Sequence, residues 1–503
     1  MKRITLLTMI FAAILSLTIA TKATAQSSSW PTIIPAPVTC NLSSVDYIPF
    51  QKVTIATDDA TAIKWANSHF AVWYKKLAPK ASQVAYNGSE SHKEAYSITI
   101  ANNEVKISAK SIDGVRYALQ SLRQIVIPGR NTKTVESYIV PTGTISDYPS
   151  MEFRGMHICW FPETKEWEIE RMIRMAGYYK INYIVLEQWG TYQSKVAPWL
   201  SYPNPPMTKK AIKRMVALSK ELGITLIPQL NIFGHASASR IGSGKHSTLD
   251  INPKYQPLFE PQSGWNWCLS NPETKKVIES VMVEMLKDFD NPPFFHIGCD
   301  EADTPSCPEC SSRPYSELLV DYIKFAHKVL ADRGVRAMMW QDMFLKKGDP
   351  RWKKYKANGT VETSKALLTF PKDIVICDWF YGNARESYPS YSYFKSLGYD
   401  LLACPWDKTD CIVAEAKAAK EADAFGMLGT LWHHYYGTPL ALVYTTMASA
   451  AWNPAIKTVK PLARANYSLF KTHLRQVCWD MKLKEYEQFG VYHYQLPHEN
   501  SPR

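Results

Sequence analysis

Short apolar runs alternate with amphipathic helical windows along residues 151–450, and this alternation limits the possible folds more than any other feature of the chain. The runs are Gly155–Cys159, Tyr183–Leu186, Thr225–Leu230, Phe294–Gly298, Ala337–Trp340, Ile374–Asp378, Leu401–Cys404 and Met427–Trp432. Eight strand–helix alternations are typical of a (β/α)8 TIM barrel. A doubly wound open sheet is the alternative, but no glycine-rich dinucleotide fingerprint follows the first run. The sequence therefore predicts an α/β protein with a TIM barrel.

A smaller α+β domain is predicted ahead of the barrel, over residues 30–148. Tyr96–Ala101 alternates apolar and polar residues, Asn102-Asn103 supplies a turn, and the alternation resumes at Val105, which together predict a β-hairpin. A helix should follow, with Asp113 as its N-cap. We assign the barrel to residues 150–455 and a C-terminal helical extension to residues 456–503.

The first 25 residues have the pattern of a secretory signal peptide. Lys2 and Arg3 precede an apolar stretch, and Ala23-Thr24-Ala25 ends the segment before Gln26. An uncleaved membrane anchor is the rival interpretation. Cleavage would take the formal net charge from +12 to +9, and no run of basic residues indicates nucleic-acid binding. We expect a protein exported to the periplasm or the cell exterior, without a membrane span after cleavage.

The ten cysteines include one C-x-x-C pair, Cys307 and Cys310, and Cys299 lies eight residues before it. Together with Cys268, which precedes a loop, these thiols could hold a structural zinc ion, form a disulfide or remain buried and unmodified, and the spacing leaves all three possibilities open. No cofactor is predicted. The sequence does not determine the oligomeric state.

Tryptophan residues cluster where the predicted strands end. In TIM barrels the chemistry lies at the carboxyl ends of the strands. Six of the eight ends carry Trp, and nearly all carry a polar neighbour. Flat apolar surfaces beside hydrogen-bonding groups suit a saccharide, although any single Trp could equally be interior packing.

Two adjacent acids, Asp300 and Glu301, follow the fourth apolar run. Neighbouring residues of an extended strand point to opposite faces, so the two carboxyls can converge only where the strand breaks. Held close together, their charges would raise one pKa, as a general acid requires. The alternative is that the two acids stand at the N-terminus of a helix, where negative side chains stabilise the helix.

The segment Phe294–Ala302 resembles the H-x-G-G-D-E signature of family-20 glycoside hydrolases, the β-N-acetylhexosaminidases. Phe153–Met156 is similar to the family's first barrel strand, Ile227–Ala236 to its P-E-x-D-x-P-G-H segment, and Leu269–Thr274 to its S-N-P-E-T stretch. The likeness covers about residues 30–450. This likeness implies an α+β domain followed by a TIM barrel, which is the same domain order that the alternation of apolar runs and helical windows predicts.

The resemblance implies a retaining mechanism in which the substrate's own acetamido oxygen attacks C1, giving an oxazolinium ion. Asp300 would stabilise the acetamido nitrogen, and Glu301 would protonate the leaving oxygen and then activate water. The expected function is that of an exported exo-β-N-acetylhexosaminidase acting on glycans or glycoconjugates with terminal GlcNAc or GalNAc.

The resemblance also implies sugar contacts around the two acids. Arg154 would bind hydroxyls and His235 would orient the acids, while Tyr381 and Tyr436 are alternatives for the tyrosine that binds the acetamido oxygen. The predicted substrate-binding residues are Arg154, His235, Trp340, Trp379, Tyr381, Trp432 and His434.

The chain departs from the family pattern after two strands. Glu187-Gln-Trp189 stands where H-x-H-x-x-D-D is usual, and Trp432-His433-His434 stands where W-x-E is usual. These departures leave open a non-catalytic amino-sugar-binding protein on a degenerate barrel. A zinc-dependent enzyme using Cys299, Cys307 and Cys310 is a third hypothesis.

Overall fold

The computed structural model describes residues 32–89, 92–131, 134–237, 245–261, 263–433, 435, 437–455 and 460–482. The predicted signal segment lies outside these residues. A mixed sheet comes first, with the strand order β1-β7-β4-β5-β2-β3 and with β6 paired to β7. Its strands are β1 (Thr39–Pro49), β2 (Lys52–Ala56), β3 (Lys80–Val84), β4 (Tyr96–Ala101), β5 (Glu104–Ser108), β6 (Ile127–Asn131) and β7 (Thr134–Asp147).

The predicted hairpin is present in this N-terminal sheet. β4 and β5 pair antiparallel, and Asn102 and Asn103 both have positive φ angles, of 52° and 57°, which is the backbone of a tight two-residue turn. The helix that follows begins at Ile112, and its N-cap is Ser111, whose Oγ accepts a hydrogen bond from the Gly114 N–H. The prediction of Asp113 as the N-cap was therefore wrong by two residues.

Eight parallel strands form a closed barrel, which confirms the predicted TIM barrel behind an α+β domain. The barrel strands are β8 (Phe153–Trp160), β9 (Tyr183–Gln188), β10 (Thr225–Gln229), β11 (Phe294–His296), β12 (Arg336–Trp340), β13 (Val375–Trp379), β14 (Asp400–Cys404) and β15 (Gly426–Thr430). Each coincides with one of the predicted apolar runs. These strands can be recognised in the sequence because helices cover their outer face and packed side chains cover their inner face, so both faces are apolar.

Helices connect the strands and cover the outside of the barrel. They are α1 (Ala60–Tyr74), α2 (Ile112–Ile125), α3 (Glu166–Tyr178), α4 (Lys209–Glu221), α5 (Thr248–Ile251), α6 (Pro272–Asp288), α7 (Pro308–Ser311), α8 (Tyr315–Ala331), α9 (Val361–Ala366), α10 (Pro389–Ser396), α11 (Thr409–Glu421), α12 (Gly437–Trp452) and α13 (Lys460–Asp480). Of the described helices, none has the length and apolar character needed to span a membrane.

Aromatic rings close the barrel at the amino ends of its strands. Phe153 stacks on Tyr183 with 4.1 Å between ring centroids, and Phe294 and Phe425 complete this layer. Because this end of the interior is packed, any open site must lie at the opposite end.

The last described helix, α13, binds the two domains together. Asp480 pairs with Arg123 of α2, and the Tyr178 hydroxyl donates a hydrogen bond to Gln476. His473 contacts the Tyr179 hydroxyl at 3.0 Å. The Tyr- and His-rich end of the predicted extension lies outside the described residues.

Candidate active site

The chain leaves its extended path immediately after β11. Gly298, Cys299 and Glu301 have φ angles of 72°, 76° and 46°, in the left-handed region. Gly298 also packs against Asn231 so closely that a Cβ would lie 2.5 Å from the amide carbon. No helix starts until Pro308, so the alternative of acids decorating a helix N-terminus is wrong. The predicted strand break turns both acids toward the barrel mouth.

Asp300 is buried, with 5% of its surface exposed, and is held from several sides. The Asn231 amide donates a hydrogen bond to Oδ1 at 3.0 Å. Lys245 Nζ and His235 Nε2 each lie 3.4 Å from Oδ2. A carboxylate fixed in this way can stabilise a positive charge that develops beside it.

Glu301 is more accessible, since 36% of its side chain is exposed. His235 Nε2 lies 3.2 Å from Oε2, and Lys356 Nζ lies 3.3 Å from Oε1. The hydrogen bond from His235, together with the charges of His235 and Lys356, lowers the pKa of Glu301 to about 2. Repulsion between the adjacent acids predicted a raised pKa for one of them, but the pKa of Glu301 is lowered in the free protein.

The raised pKa belongs instead to Asp342, which follows β12 and is fully buried. It accepts hydrogen bonds from the Glu301 N–H at 2.9 Å, from Asn358 at 2.7 Å and from Trp379 at 3.3 Å. Burial, reinforced by the negative charge of Asp300, raises the pKa of Asp342 to about 7. Its position two residues after Trp340, at a strand exit, was the only sequence signal for it.

Glu187 and Lys245 form a buried ion pair next to Asp300. Lys245 Nζ lies 2.8 Å from Glu187 Oε1, and the Gln229 amide donates to the same oxygen at 2.6 Å. Although burial alone would raise it, the charge of Lys245 and the proximity of His157 hold the pKa of Glu187 well below its usual range. Gln229 also donates to Asn231, so a chain of polar contacts runs from Glu187 to Asp300.

Aromatic side chains form one wall of the mouth. Trp379 packs on Tyr381 with 4.8 Å between ring centroids, and the Trp432 indole N–H donates to the Tyr381 hydroxyl at 3.0 Å. Trp340 lies beneath Trp432 and is only 1% exposed, so it supports this wall and does not form its accessible face. His434 and Tyr436, two of the sequence predictions, lie outside the described residues.

Two sequence models of one family match this chain. The glycosyl hydrolase family 20 catalytic domain matches residues 170–451, and glycosyl hydrolase family 20 domain 2 matches residues 30–148. The first match alone exceeds half of the 503 residues. The chain belongs to glycoside hydrolase family 20.

Named relatives in family 20 are distant. A β-hexosaminidase subunit A1 from Dictyostelium discoideum is 28% identical over 224 residues, which cover 41% of this chain and 39% of the relative. A β-hexosaminidase from Vibrio furnissii is 23% identical over 322 residues, covering 56% of this chain and 51% of the relative. The matched regions thus span between two fifths and about half of the length of these two relatives.

Solved family-20 structures share the fold. An exo β-N-acetylglucosaminidase from Vibrio harveyi, solved with N-acetylglucosamine, superimposes with a TM-score of 0.66 at 18% identity and covers 90% of this chain and 79% of its own. A β-N-acetylhexosaminidase from Streptomyces coelicolor A3(2) gives a TM-score of 0.65 at 16% identity, covering 88% and 96%. At these identities the likeness establishes the fold alone.

Arg154 does not lie at the active site of this family-20 protein, and its predicted role in sugar binding is wrong. It is the second residue of β8, level with the first residues of the neighbouring strands, so it lies at the closed end of the barrel. Its guanidinium is fully buried and donates to Glu94 at 2.9 Å and to the Tyr117 hydroxyl at 3.0 Å. Arg154 therefore joins the barrel to the N-terminal domain.

Cys299 does not join the predicted cysteine group. Its Sγ is buried and points to the Ile297 carbonyl. Cys268 and Glu260 lie beside Cys307 and Cys310 in its place. Cys268 was part of the predicted thiol group, whereas Glu260 was not.

Several residues of the mouth were not predicted as site residues. They are His157, Glu187, Lys245, Trp265, Asp342 and Lys356. Glu187 and Asp342 could have been chosen from their places at strand ends. Lys245, Trp265 and Lys356 sit on loops far from the acids in sequence, and no local pattern identifies them.

Proposed function

We propose that this protein is an exo-acting β-N-acetylhexosaminidase, which removes terminal GlcNAc or GalNAc from glycans by a retaining, substrate-assisted mechanism. One observation carries the proposal: a buried, clamped Asp300 lies next to a partly exposed Glu301 at the barrel mouth. The two acids therefore differ in environment, as their two roles require.

In the first step the acetamido oxygen of the substrate forms a bond to C1 while the C1–O bond to the leaving group breaks. Glu301 gives its proton to the departing oxygen. Asp300 faces the acetamido nitrogen, where positive charge grows as the oxazolinium ion forms. In the second step water attacks C1, Glu301 takes the proton from that water, and the bond between C1 and the acetamido oxygen breaks. Two inversions at C1 give net retention.

The charge state of Glu301 must change between these steps. In the free protein His235 and Lys356 hold it as the carboxylate, which is the form that activates water. A sugar filling the mouth would displace the water at the exposed part of Glu301, and desolvation raises the pKa of a carboxyl group. Substrate binding would thus favour the protonated form that the first step needs.

Glu301→Gln tests the assignment. On chromogenic β-GlcNAc and β-GalNAc glycosides we expect kcat/KM to fall about 10²–10⁴-fold, since the variant cannot donate the proton. The loss should be smaller for a dinitrophenyl glycoside, whose leaving group departs without protonation. The control is Glu273→Gln, an exposed glutamate of α6 paired only with Lys276, which should retain wild-type activity.

Further measurements separate an enzyme from a binding protein. NMR of the first-formed product should show the β-anomer, and a GlcNAc-thiazoline should inhibit because it imitates the oxazolinium ion. Equal trace rates for wild type and Glu301→Gln would refute the proposal. Calorimetric binding of GlcNAc without turnover would instead support a non-catalytic sugar-binding protein.

We also propose that the protein is exported, because residues 1–25 have the basic, apolar and small-residue sequence of a signal peptide. Expression of the full chain in a bacterium that secretes proteins should yield a product beginning at Gln26 outside the cytoplasm. An unprocessed chain starting at Met1 in the cytoplasmic fraction would contradict export and leave the catalytic proposal untouched.

A further inference from the structure

Four potential metal ligands meet beneath the loop that carries the two acids. Glu260 and Cys268 come from the segment before α6, whereas Cys307 and Cys310 come from the segment after β11. All four residues are buried, and one ligand atom from each lies within 4.8 Å of the others. None of them touches the sugar site described above.

The distances between the sulfur atoms fit a shared metal ion. Cys268 Sγ lies 3.6 Å from Cys307 Sγ and 3.8 Å from Cys310 Sγ. A tetrahedral zinc ion with Zn–S bonds of about 2.3 Å requires sulfur atoms about 3.8 Å apart. A disulfide would require about 2.05 Å. Because one sulfur has two sulfur neighbours at the tetrahedral separation, the arrangement matches three ligands around a common centre.

Glu260 supplies an independent observation. Backbone N–H groups of Ser306 and Cys307 both donate to Oε2 at 2.7 Å, which fixes the carboxylate. Its other oxygen, Oε1, is buried without an N–H or O–H donor in the described part of the chain, and the Cys310 thiol faces it. A buried carboxylate oxygen aimed at three cysteine sulfurs is a position for a cation.

Backbone N–H groups are also directed at the sulfurs. The Cys310 N–H lies 3.3 Å from Cys307 Sγ, within the short helix α7. The N–H groups of Ser270 and Asn271 bond to the Cys268 sulfur. Hydrogen bonds of this kind orient cysteine sulfurs around a bound metal.

We propose that Glu260, Cys268, Cys307 and Cys310 form a structural Zn²⁺ site. Three thiolates and one carboxylate complete a closed tetrahedral set without an open position for water, which is typical of structural and not of catalytic zinc. Binding would release the thiol protons, so the site should lose its metal in acid. Zinc is favoured over calcium or magnesium because sulfur is a soft ligand.

The site would hold the catalytic loop in place. The segment between Glu260 and Cys268 carries Trp265, whose indole N–H donates to the Glu301 carbonyl at 2.7 Å. Asn266 in the same segment donates to the Asp303 carbonyl at 2.6 Å. A metal that joins this segment to Cys307 and Cys310 therefore fixes the later end of the loop that presents the two acids, together with the segment that hydrogen-bonds Glu301 and Asp303.

Metal analysis of the purified full chain tests the proposal. We expect about one equivalent of zinc per chain that survives dialysis, and only a trace in Cys268→Ser and Cys310→Ser. The control is Cys411→Ser, because Cys411 is also a buried thiol beside a glutamate, Glu415, but has no second cysteine at hydrogen-bond distance. It should keep the full equivalent.

Two measurements on the wild-type chain keep the test decisive if the variants do not fold. Replacement of zinc by Co²⁺ should give the visible absorption of a tetrahedral site and thiolate charge-transfer bands in the near ultraviolet. Alkylation in denaturant with a chelator and no reductant should modify all ten cysteines. A protected pair would show a disulfide, and ten modified thiols without bound metal would show plain buried thiols; either result overturns the proposal.

Discussion

The two ends of the barrel both bury charges but balance them differently. At the closed end each cation faces its own carboxylate: Arg154 pairs with Glu94 at 2.9 Å, and Lys180 pairs with Asp147 at 2.9 Å. At the mouth, Asp342 is as deeply buried, yet its hydrogen bonds come from a backbone N–H, an amide and an indole. The first arrangement stabilises the fold, whereas the second leaves an acid titrating near neutral pH.

The difference follows from what each end must do. The closed end joins two domains, and a buried charge there is tolerable only when it is paired and hydrogen-bonded. The Tyr96 and Tyr117 hydroxyls complete those pairs. At the mouth Glu187 pairs with Lys245, but the described contacts of Asp342 come from neutral donors, so the negative charge there is only partly balanced and can stabilise a developing cation. Variants should therefore separate stability at one end from activity at the other.

The largest effect is expected for Arg154→Met, which leaves Glu94 buried without its cation. The free energy of unfolding, measured by urea denaturation, should fall by about 3–5 kcal/mol. The double variant Arg154→Met/Glu94→Gln should recover part of this loss, because no charge is then left unpaired. The kcat/KM of the folded fraction should stay within a few-fold of wild type.

Arg313 provides the control, since its pair with Asp321 is exposed on both sides. Arg313→Met should leave the free energy of unfolding close to that of wild type, because solvent screens an exposed pair. If Arg154→Met lost activity without losing stability, Arg154 would have to act on the substrate after all, and the contrast between the two ends would fail.

The next effect is expected for Asp300→Asn. An amide cannot stabilise the positive charge on the acetamido nitrogen as a carboxylate does, so kcat/KM should fall about 10²–10³-fold on the same chromogenic glycosides. The free energy of unfolding should fall less than in Arg154→Met, because Lys245 keeps its shorter pair with Glu187 at 2.8 Å. Asp303→Asn, an exposed acid in the same loop, is the control. A fully active Asp300→Asn would rule out the assigned role.

Asp342 should give the protein a pH-dependent stability. Its pKa is raised from 3.8 to about 7, so between these pH values the unfolded chain has lost a proton that the folded chain keeps. Stability should then decrease as the pH rises through this window, by up to about 1.4 kcal/mol per pH unit. Asp342→Asn removes the titrating group and this part of the slope.

Urea denaturation at several pH values measures that difference. Between pH 5 and 6.5 the free energy of unfolding of wild type should fall by about 2 kcal/mol relative to that of Asp342→Asn. Asp332→Asn, at an exposed i, i+4 pair with Lys328, should keep the wild-type slope. Parallel pH profiles for wild type and Asp342→Asn would show that Asp342 is ionised across this range in the folded protein.

The sequence predicted the barrel well because its strands are buried on both faces, and a strand of this kind has a continuous apolar sequence. It also predicted Asp300 and Glu301, since adjacent acids after an apolar run stand out locally. The prediction for Arg154 was wrong because the family likeness suggested a role for this residue without showing where along its strand it lies. As the second residue of β8, Arg154 lies at the closed end of the barrel.

The environment of the acids could not be predicted in the same way. Lys245 is 55 residues from Asp300 in sequence, and Asp342 is 41 residues from Glu301. Only the closure of the barrel brings these groups together, and burial, reinforced by neighbouring charges, decides which carboxyl has the raised pKa. The metal ligands are a similar case, because Glu260 and Cys307 are 47 residues apart.

The smallest effect is expected for Lys356→Met at the rim of the mouth. Lys356 is 58% exposed and lies 3.3 Å from Glu301, where solvent screens the interaction. Its charge helps to lower the pKa of Glu301, so its removal should raise that pKa slightly and move the alkaline limb of the kcat profile, which reports the substrate complex, upward by roughly a few tenths of a pH unit. Stability should change little.

Salt dependence distinguishes this rim contact from the buried pairs. The shift caused by Lys356→Met should shrink as ionic strength rises toward about 1 M, where exposed charges are screened within about 3 Å. Lys353→Met, an exposed lysine in the same loop, should leave the profile unchanged. If the shift were as large at high salt as at low salt, the contact between Lys356 and Glu301 would be shielded from solvent. The rim of the mouth would then resemble the buried ion pairs of the closed end.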